Sequence, residues 1–239
     1  MSRTMVISEI DIEVVKKDIK NIHLAVYPPN GKVRLAVPHD VSAESIELFA
    51  KSRLGWIKKQ QRKFKAQDRQ SERRYVDRET HYFQGKRYLL KIVEESKPAR
   101  VIVSRGTRLE LRVRPGSTTD QRKEVLNEWQ RNALKEIAQE LISKWETKMG
   151  LKVNAWGVRL MKTKWGTCNR DSRRILLNLE LAKVPVRCVE YIVVHELVHL
   201  LERKHNDNFK AYMDKFLPNW RALRSELNRL PVSHISSDC

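Results

Sequence analysis

Tyr191-Ile192-Val193-Val194-His195-Glu196-Leu197-Val198-His199-Leu200-Leu201 is an apolar run broken by two histidines and a glutamate. Pro185 lies just upstream and suits a first helical turn, so the run reads as a buried helix from Pro185 through His199. Residues four apart on a helix lie on one face, about 6 Å apart along the axis, so both imidazoles project together. That spacing lets both reach one tetrahedral zinc at roughly 2.0–2.1 Å. Glu196 is turned by about 100° from His195, beside such a metal rather than on it, where a carboxylate can take a proton from a water. Left without a metal or hydrogen-bond partners, these three polar groups would be costly on a buried helix.

A catalytic zinc takes three protein ligands and keeps an open fourth position. His205 is the candidate third ligand. It falls off the helix face, so the chain must leave the helix near Arg203-Lys204. The polar run Arg203-Lys204-His205-Asn206-Asp207-Asn208 permits this, with Asn206 or Asp207 able to cap a following helix. The spacing matches HExxHxxGxxH, but Glu202 stands where that pattern needs glycine, which excludes the metzincins. Glu202 and Glu226 are rival third ligands, and Cys168 is a further, lesser one.

Outward from this helix, the chain alternates between strand and helix patterns. Ile10, Ile12 and Val14, then Leu24 and Val26, then Val33, Leu35 and Val37 recur at period two, with Pro28, Pro29, Asn30 and Gly31 as turn residues. Helical spacing follows from Ser42 to about Ala66, through Ile46, Phe49, Ala50, Trp56, Ile57 and Phe64. Its other faces carry Lys51, Arg53, Lys58, Lys59, Arg62, Lys63 and Lys65, either a nucleic-acid surface or a solvated helix face. A second strand-rich stretch runs from Thr80 to Arg114, with a turn at Ser104 to Arg108. Pro115-Gly116-Ser117-Thr118-Thr119 reads as a linker and domain boundary.

A long helix is expected from Thr119 or Asp120 to Met149, stopped by Gly150. Two strands follow, Val158 to Lys164 and Arg174 to Leu181, separated by a turn containing Gly166, Asn169 and Asp171. Beyond the histidine helix, two more helices are expected, from about Asn206 to Phe216 and Asn219 to Leu230. No internal repeat is legible.

Bulk composition narrows the class. With 41% hydrophobic and 32% charged residues, the chain is globular rather than disordered. No apolar run is long enough to span a bilayer, and the first residues lack a secretory pattern, so no membrane partner is expected. Cys168, Cys188 and Cys239 are an odd number without framework spacing, which suits a reducing, cytoplasmic setting. Lys plus Arg is 48 against 29 Asp plus Glu, a formal charge of +19 that attracts polyanions, nucleic acid among them.

Taken in order, Met161-Lys162-Thr163-Lys164-Trp165-Gly166-Thr167-Cys168-Asn169, Ile175-Leu176-Leu177-Asn178, HELVHLLERKHNDNF and Leu217-Pro218-Asn219-Trp220 resemble the YgjP-like metallopeptidase family. Gly31-Lys32-Val33-Arg34 and the Trp56-Ile57 helix are similar to its leading region, so the likeness covers nearly the whole chain. Thr167 replaces the more usual serine and keeps the hydroxyl. The family is related to SprT-like and other zincins. With the patterns above, the chain is expected to be α+β, an antiparallel β-rich region with one helix over 1–115 followed by a zincin-like domain over 116–239. The resemblance implies a zinc site on an active-site helix packed against a small sheet. It implies His195, His199 and His205 as zinc ligands and Glu196 as general base. It also implies a strand beside the active-site helix that pairs with an extended peptide, here Arg174 to Leu181.

Trp165, Gly166 and Asn178 are candidate substrate-cleft residues; Trp165 is equally readable as packing on the histidine helix, and Asn178 as pairing with backbone. Three functions stay open. The first is a zinc metallopeptidase acting on a peptide or protein. The second is a metal-dependent nucleoside triphosphate pyrophosphatase, an activity attributed to members of the resembled family, with Lys162, Lys164, Arg203 and Lys204 near the motifs. The third is a nucleic-acid-associated binding protein with a structural zinc. No glycine loop that cradles phosphate supports the second.

Overall fold

The computed structural model describes residues 2–27, 30–66, 73–104 and 106–230, with the side chains of Ser2 and of 63–66 outside the description. The expected turn residues Pro28 and Pro29, the helix positions Lys63, Phe64 and Lys65 as side chains, and Cys239 thus lie outside the described residues. The chain divides into two compact units, Met1–Arg69 and Gln70–Cys239. The boundary expected at Pro115 falls inside the second unit.

In the first unit, β1 (Ser2–Ile7), β2 (Ile10–Lys16), β3 (His23–Tyr27) and β4 (Lys32–Val37) form a sheet in the order β1-β2-β4-β3. The outer pairs are antiparallel and the central β2–β4 pair is parallel. The alternating Ile10, Ile12, Val14 and Val33, Leu35, Val37 all point inward, onto Ile46, Ala50 and Ile57. Instead of one helix over 42–66 there are two, α1 (Ala43–Ser52) and α2 (Leu54–Ala66), separated at Arg53. The Ser42 side chain caps α1 by accepting from the Ser45 N–H, and Gly55 follows the break, where a glycine weakens helical continuity.

The second unit begins with β5 (Thr80–Phe83), β6 (Lys86–Glu94), β7 (Arg100–Val103) and β8 (Arg108–Val113), in the order β5-β6-β8-β7. Again the outer pairs are antiparallel and the central pair parallel. The two sheets therefore share strand order and sense, a duplication of topology where the sequence shows no repeat. An alternating pattern fixes only which residues face inward, so two unlike sequences can satisfy one topology.

The long helix α3 (Thr119–Met149) joins this sheet to the rest of the unit. Thr118 and Gln121 cap its start reciprocally, and Gly150 ends it in the left-handed conformation. Leu126, near its N-terminus, belongs to the core under β5–β8; Leu134, Ala138, Leu141, Ile142 and Trp145 belong to the second core. This continuity places the Pro115 region within one unit.

The second core lies between α3, the sheet β10-β11-β9 and three C-terminal helices. The strands are β9 (Ala155–Arg159), β10 (Gly166–Asn169) and β11 (Arg174–Asn178), and the helices are α4 (Val186–Val198), α5 (Asp207–Phe216) and α6 (Trp220–Arg229). The expected strand Val158 to Lys164 ends at Arg159, and the expected turn around Gly166 is instead the edge strand β10. Beyond Asn178 the chain turns into a short 3-10 helix, Leu179–Lys183, rather than continuing as strand. No helix among the described residues is long and apolar enough to cross a membrane.

Candidate metal centre and active-site cleft

α4 is buried along nearly its whole length, because Cys188, Val189, Ile192, Val193, Leu197 and Val198 occupy all its faces rather than one stripe. His195 lies in its last turn and His199 at its C-cap. Beyond His199 the helix tightens and stops, with the Leu200 and Leu201 N–H groups donating to Leu197 and Val198 carbonyls three residues back. The Glu202 carboxylate accepts from the Lys204 N–H at 3.0 Å, and Asn206 caps α5 by accepting from the Phe209 N–H at 3.0 Å. His205 sits between these two caps.

The turn brings His205 back onto the helix end. Donor atoms of His195, His199 and His205 all lie within 4.8 Å of one another. Nε2 of His205 and Nε2 of His195 face each other at 3.1 Å. Two imidazole nitrogens on one tetrahedral zinc would stand about 3.3 Å apart. The His199 Nδ1 donates to the Glu202 carbonyl at 3.1 Å, which leaves its Nε2 as the lone-pair nitrogen. Neither rival carboxylate joins the cluster: Glu202 caps the loop, and Glu226 pairs with Arg187. Cys168 also stands outside it, with a thiol that burial pushes up to about 11.

The surroundings keep these imidazoles neutral. Burial, then the neighbouring His199 and His205, push His195 down to about 3. Burial likewise lowers His199 and His205, against a raising contribution from the Glu202 carbonyl at His199. Phe209 packs on all three rings, with centroids 5.0, 4.8 and 4.6 Å from those of His195, His199 and His205. The sequence marks Phe209 only as an apolar position of an amphipathic helix; nothing in it indicates contact with the histidines.

Glu196 is 2% exposed and lies against Gly166 of β10. A Cβ built on Gly166 would fall 2.5 Å from Glu196 Oε1 and 2.7 Å from its Cγ. Only glycine leaves this carboxylate its place. Burial raises Glu196 to about 8, against a lowering influence of Lys164.

A cleft of about 730 Å³ opens over the cluster. β10 forms one wall, and Glu196, His199 and His205 lie at its base. Of the cleft residues expected from sequence, Gly166 lines it; Trp165 and Asn178 do not. Trp165 is 2% exposed in the second core. Asn178 is fully buried, and its amide donates to the Met161 and Lys164 carbonyls at 2.9 and 2.7 Å while accepting from the Met161 and Glu180 N–H groups. With its hydrogen-bonding capacity used by backbone, Asn178 secures the segment leading into β10. β11, the strand expected to take an extended peptide, is paired on both sides, by β10 and β9. The sheet edge at the cleft is β10.

Lys164 and Arg203, noted from sequence, do line the cleft, whereas Lys162 and Lys204 do not. Arg170 and Arg173 line it as well and escaped the sequence reading, because they lie in a turn that only the β10–β11 hairpin aims at the histidines.

A search among curated proteins finds no match to this chain. Among solved structures, the metallopeptidase zymogen of Pyrococcus abyssi abylysin is 18% identical, over 38% of this chain and 90% of its own, with a TM-score of 0.36. The model of the YgjP-like family, metallopeptidase domain, matches residues 20–230, and the chain belongs to this family of metal-dependent peptidases.

Proposed function

We infer that the protein is a zinc peptidase in which His195, His199 and His205 hold the metal and Glu196 is the general base. The observation that carries this reading is the convergence of three neutral imidazoles with a buried carboxylate beside an open sheet edge. An all-imidazole donor set without carboxylate suits zinc rather than magnesium or calcium. Three donors among the described residues leave a coordination position for water, which speaks against a purely structural zinc.

Zinc, when bound, supplies a Lewis acid that polarises the carbonyl under attack and lowers the pKa of water. The chain's own residues do the rest. The free edge of β10 pairs with the backbone of an extended peptide and lays it over the histidines. Glu196 Oε takes the proton of the attacking water and returns it to the departing amide nitrogen. Burial beside the cleft shields Glu196 from bulk solvent, so that it can hold the proton between the two steps. Gly166 keeps the carboxylate close to the strand that carries the substrate.

A second reading, hydrolysis of a nucleoside triphosphate, draws on the basic residues lining the cleft. One experiment separates the two. Zinc content and hydrolysis are measured for wild type and Glu196→Gln, on an unstructured protein, with and without DNA, and on a panel of nucleoside triphosphates. The peptidase reading expects about one zinc in each protein and cleavage of the polypeptide by wild type alone. Equal cleavage by Glu196→Gln, or a wild type without zinc, would falsify it.

A further inference from the structure

We propose that the cleft selects peptides carrying acidic residues on either side of the scissile bond, read by Lys164, Arg170 and Arg203. The proposal rests on the peptidase reading and specifies its substrate. Lys164 precedes β10 by two residues and Arg170 follows it by one, so these cations bracket the edge strand. Arg203 lies across the cleft, on the loop that carries His205. All three are exposed at the cleft, and none forms an ion pair with a carboxylate among the described residues. Arg173 adds a fourth positive charge to the lining, although its Nε is engaged with the Lys152 carbonyl at 2.6 Å. The acidic residues of the lining are Asp171 and the buried Glu196, and the Glu202 carboxylate lies within electrostatic reach of Arg170. Some cations elsewhere are paired, Lys144 with Glu190, Arg187 with Glu226 and Arg221 with Asp214. With 48 Lys and Arg against 29 Asp and Glu, cations without a carboxylate partner occur elsewhere too; what sets these apart is their placement at the two ends of the cleft's edge strand and on the loop that carries His205.

The arrangement favours a peptide over a nucleotide. A polyphosphate is gripped by donors converging on one point, usually with a glycine loop presenting backbone N–H groups. Here Lys164 and Arg170 stand at opposite ends of a strand, with Arg203 on a separate loop. The segment from Lys164 to Arg170 spans at most about 20 Å at strand rise, roughly the length of six extended residues. The free backbone edge between them matches an extended chain. Acidic side chains within about three positions of the scissile bond would meet a guanidinium or ammonium on either side.

The test uses the zinc-loaded full chain and three fluorogenic peptides of equal length whose flanking positions are Glu, Gln or Lys. Each partly exposed ion pair favours the acidic peptide by about 2- to 5-fold, so roughly tenfold over the Gln peptide is expected at low ionic strength. Roughly 0.5 M salt should shrink this ratio by screening. The double variant Arg170→Glu/Arg203→Glu, with zinc content and circular dichroism matching wild type, should bring the acidic-over-neutral ratio to about 1 or below and improve the Lys peptide relative to both. Equal kcat/KM on all three peptides overturns the proposal and leaves the peptidase reading standing. Hydrolysis of nucleoside triphosphates with no peptide cleaved overturns both.

Discussion

Gly166 and Glu196 are packed so closely that a single methyl group on the glycine would overlap the glutamate carboxylate, with 2.5 Å from the added carbon to Oε1. An edge strand and a helix thus meet at the one point where the proposed base must stand beside the substrate.

Gly166→Ala should therefore move either the strand or the carboxylate. We expect a loss of about 1–3 kcal/mol in stability, as for other overpacked sites. Hydrolysis should fall by at least about tenfold while zinc content is unchanged, since no ligand touches Gly166. Thermal unfolding, metal analysis and kcat/KM together check this; wild-type activity in the variant would show that the contact is slack.

Phe209 packs on the three imidazoles, so its removal should loosen the metal site from behind. Phe209→Ala should cost about 3–5 kcal/mol of stability as a buried aromatic. Phe209→Leu, which keeps the core filled, should lower zinc affinity by about 10- to 100-fold, the range found when the support of metal ligands is disturbed. A competition titration with a zinc chelator reads the affinity. In the wild type, removing the metal should lower Tm and acidification should release it, because the ligands must be unprotonated.

Asn178 fastens the segment before β10 through contacts to Met161, Lys164 and Glu180 backbone. Asn178→Ala should destabilise the fold by about 2–4 kcal/mol, because several buried backbone groups lose their partner. The loss should be the same with and without a bound peptide product. A substrate-dependent difference in Tm would instead mark Asn178 as a ligand-contacting residue.

His81 is a buried histidine distant from the metal centre in sequence, with Nε2 2.7 Å from Glu79 Oε2. Burial holds its pKa below the ordinary histidine value, against the opposing pull of Glu79. The unfolded chain then takes up a proton that folded His81 resists, so stability falls as pH drops below about 6.5. His81→Gln should flatten the pH dependence of stability between about pH 6.5 and 5, by at most about 1.4 kcal/mol per pH unit. Urea unfolding across that range decides it, with an unchanged slope as the contrary result.

The sequence by itself determined the helix of His195, Glu196 and His199, since four-residue spacing and an apolar context are local properties. It also brought out His205, because the chain between two helices had to turn there. The long helix stopped by Gly150 was legible for the same reason, although its cap, Thr118, reads in sequence as part of a linker. Tertiary structure alone decided the rest. Gly166 to Asn169, rich in turn formers, becomes an edge strand because β11 offers it a partner and Asn178 anchors its approach. Asn178 and Trp165 are drawn into the core, away from the cleft, while Arg170 and Arg203 are carried to its rim. The duplicated sheet order likewise depends on pairing between strands far apart in sequence. Such placements follow from which surfaces are buried against which, and a local pattern of apolar and polar residues specifies only that a face is buried, not the neighbour that buries it.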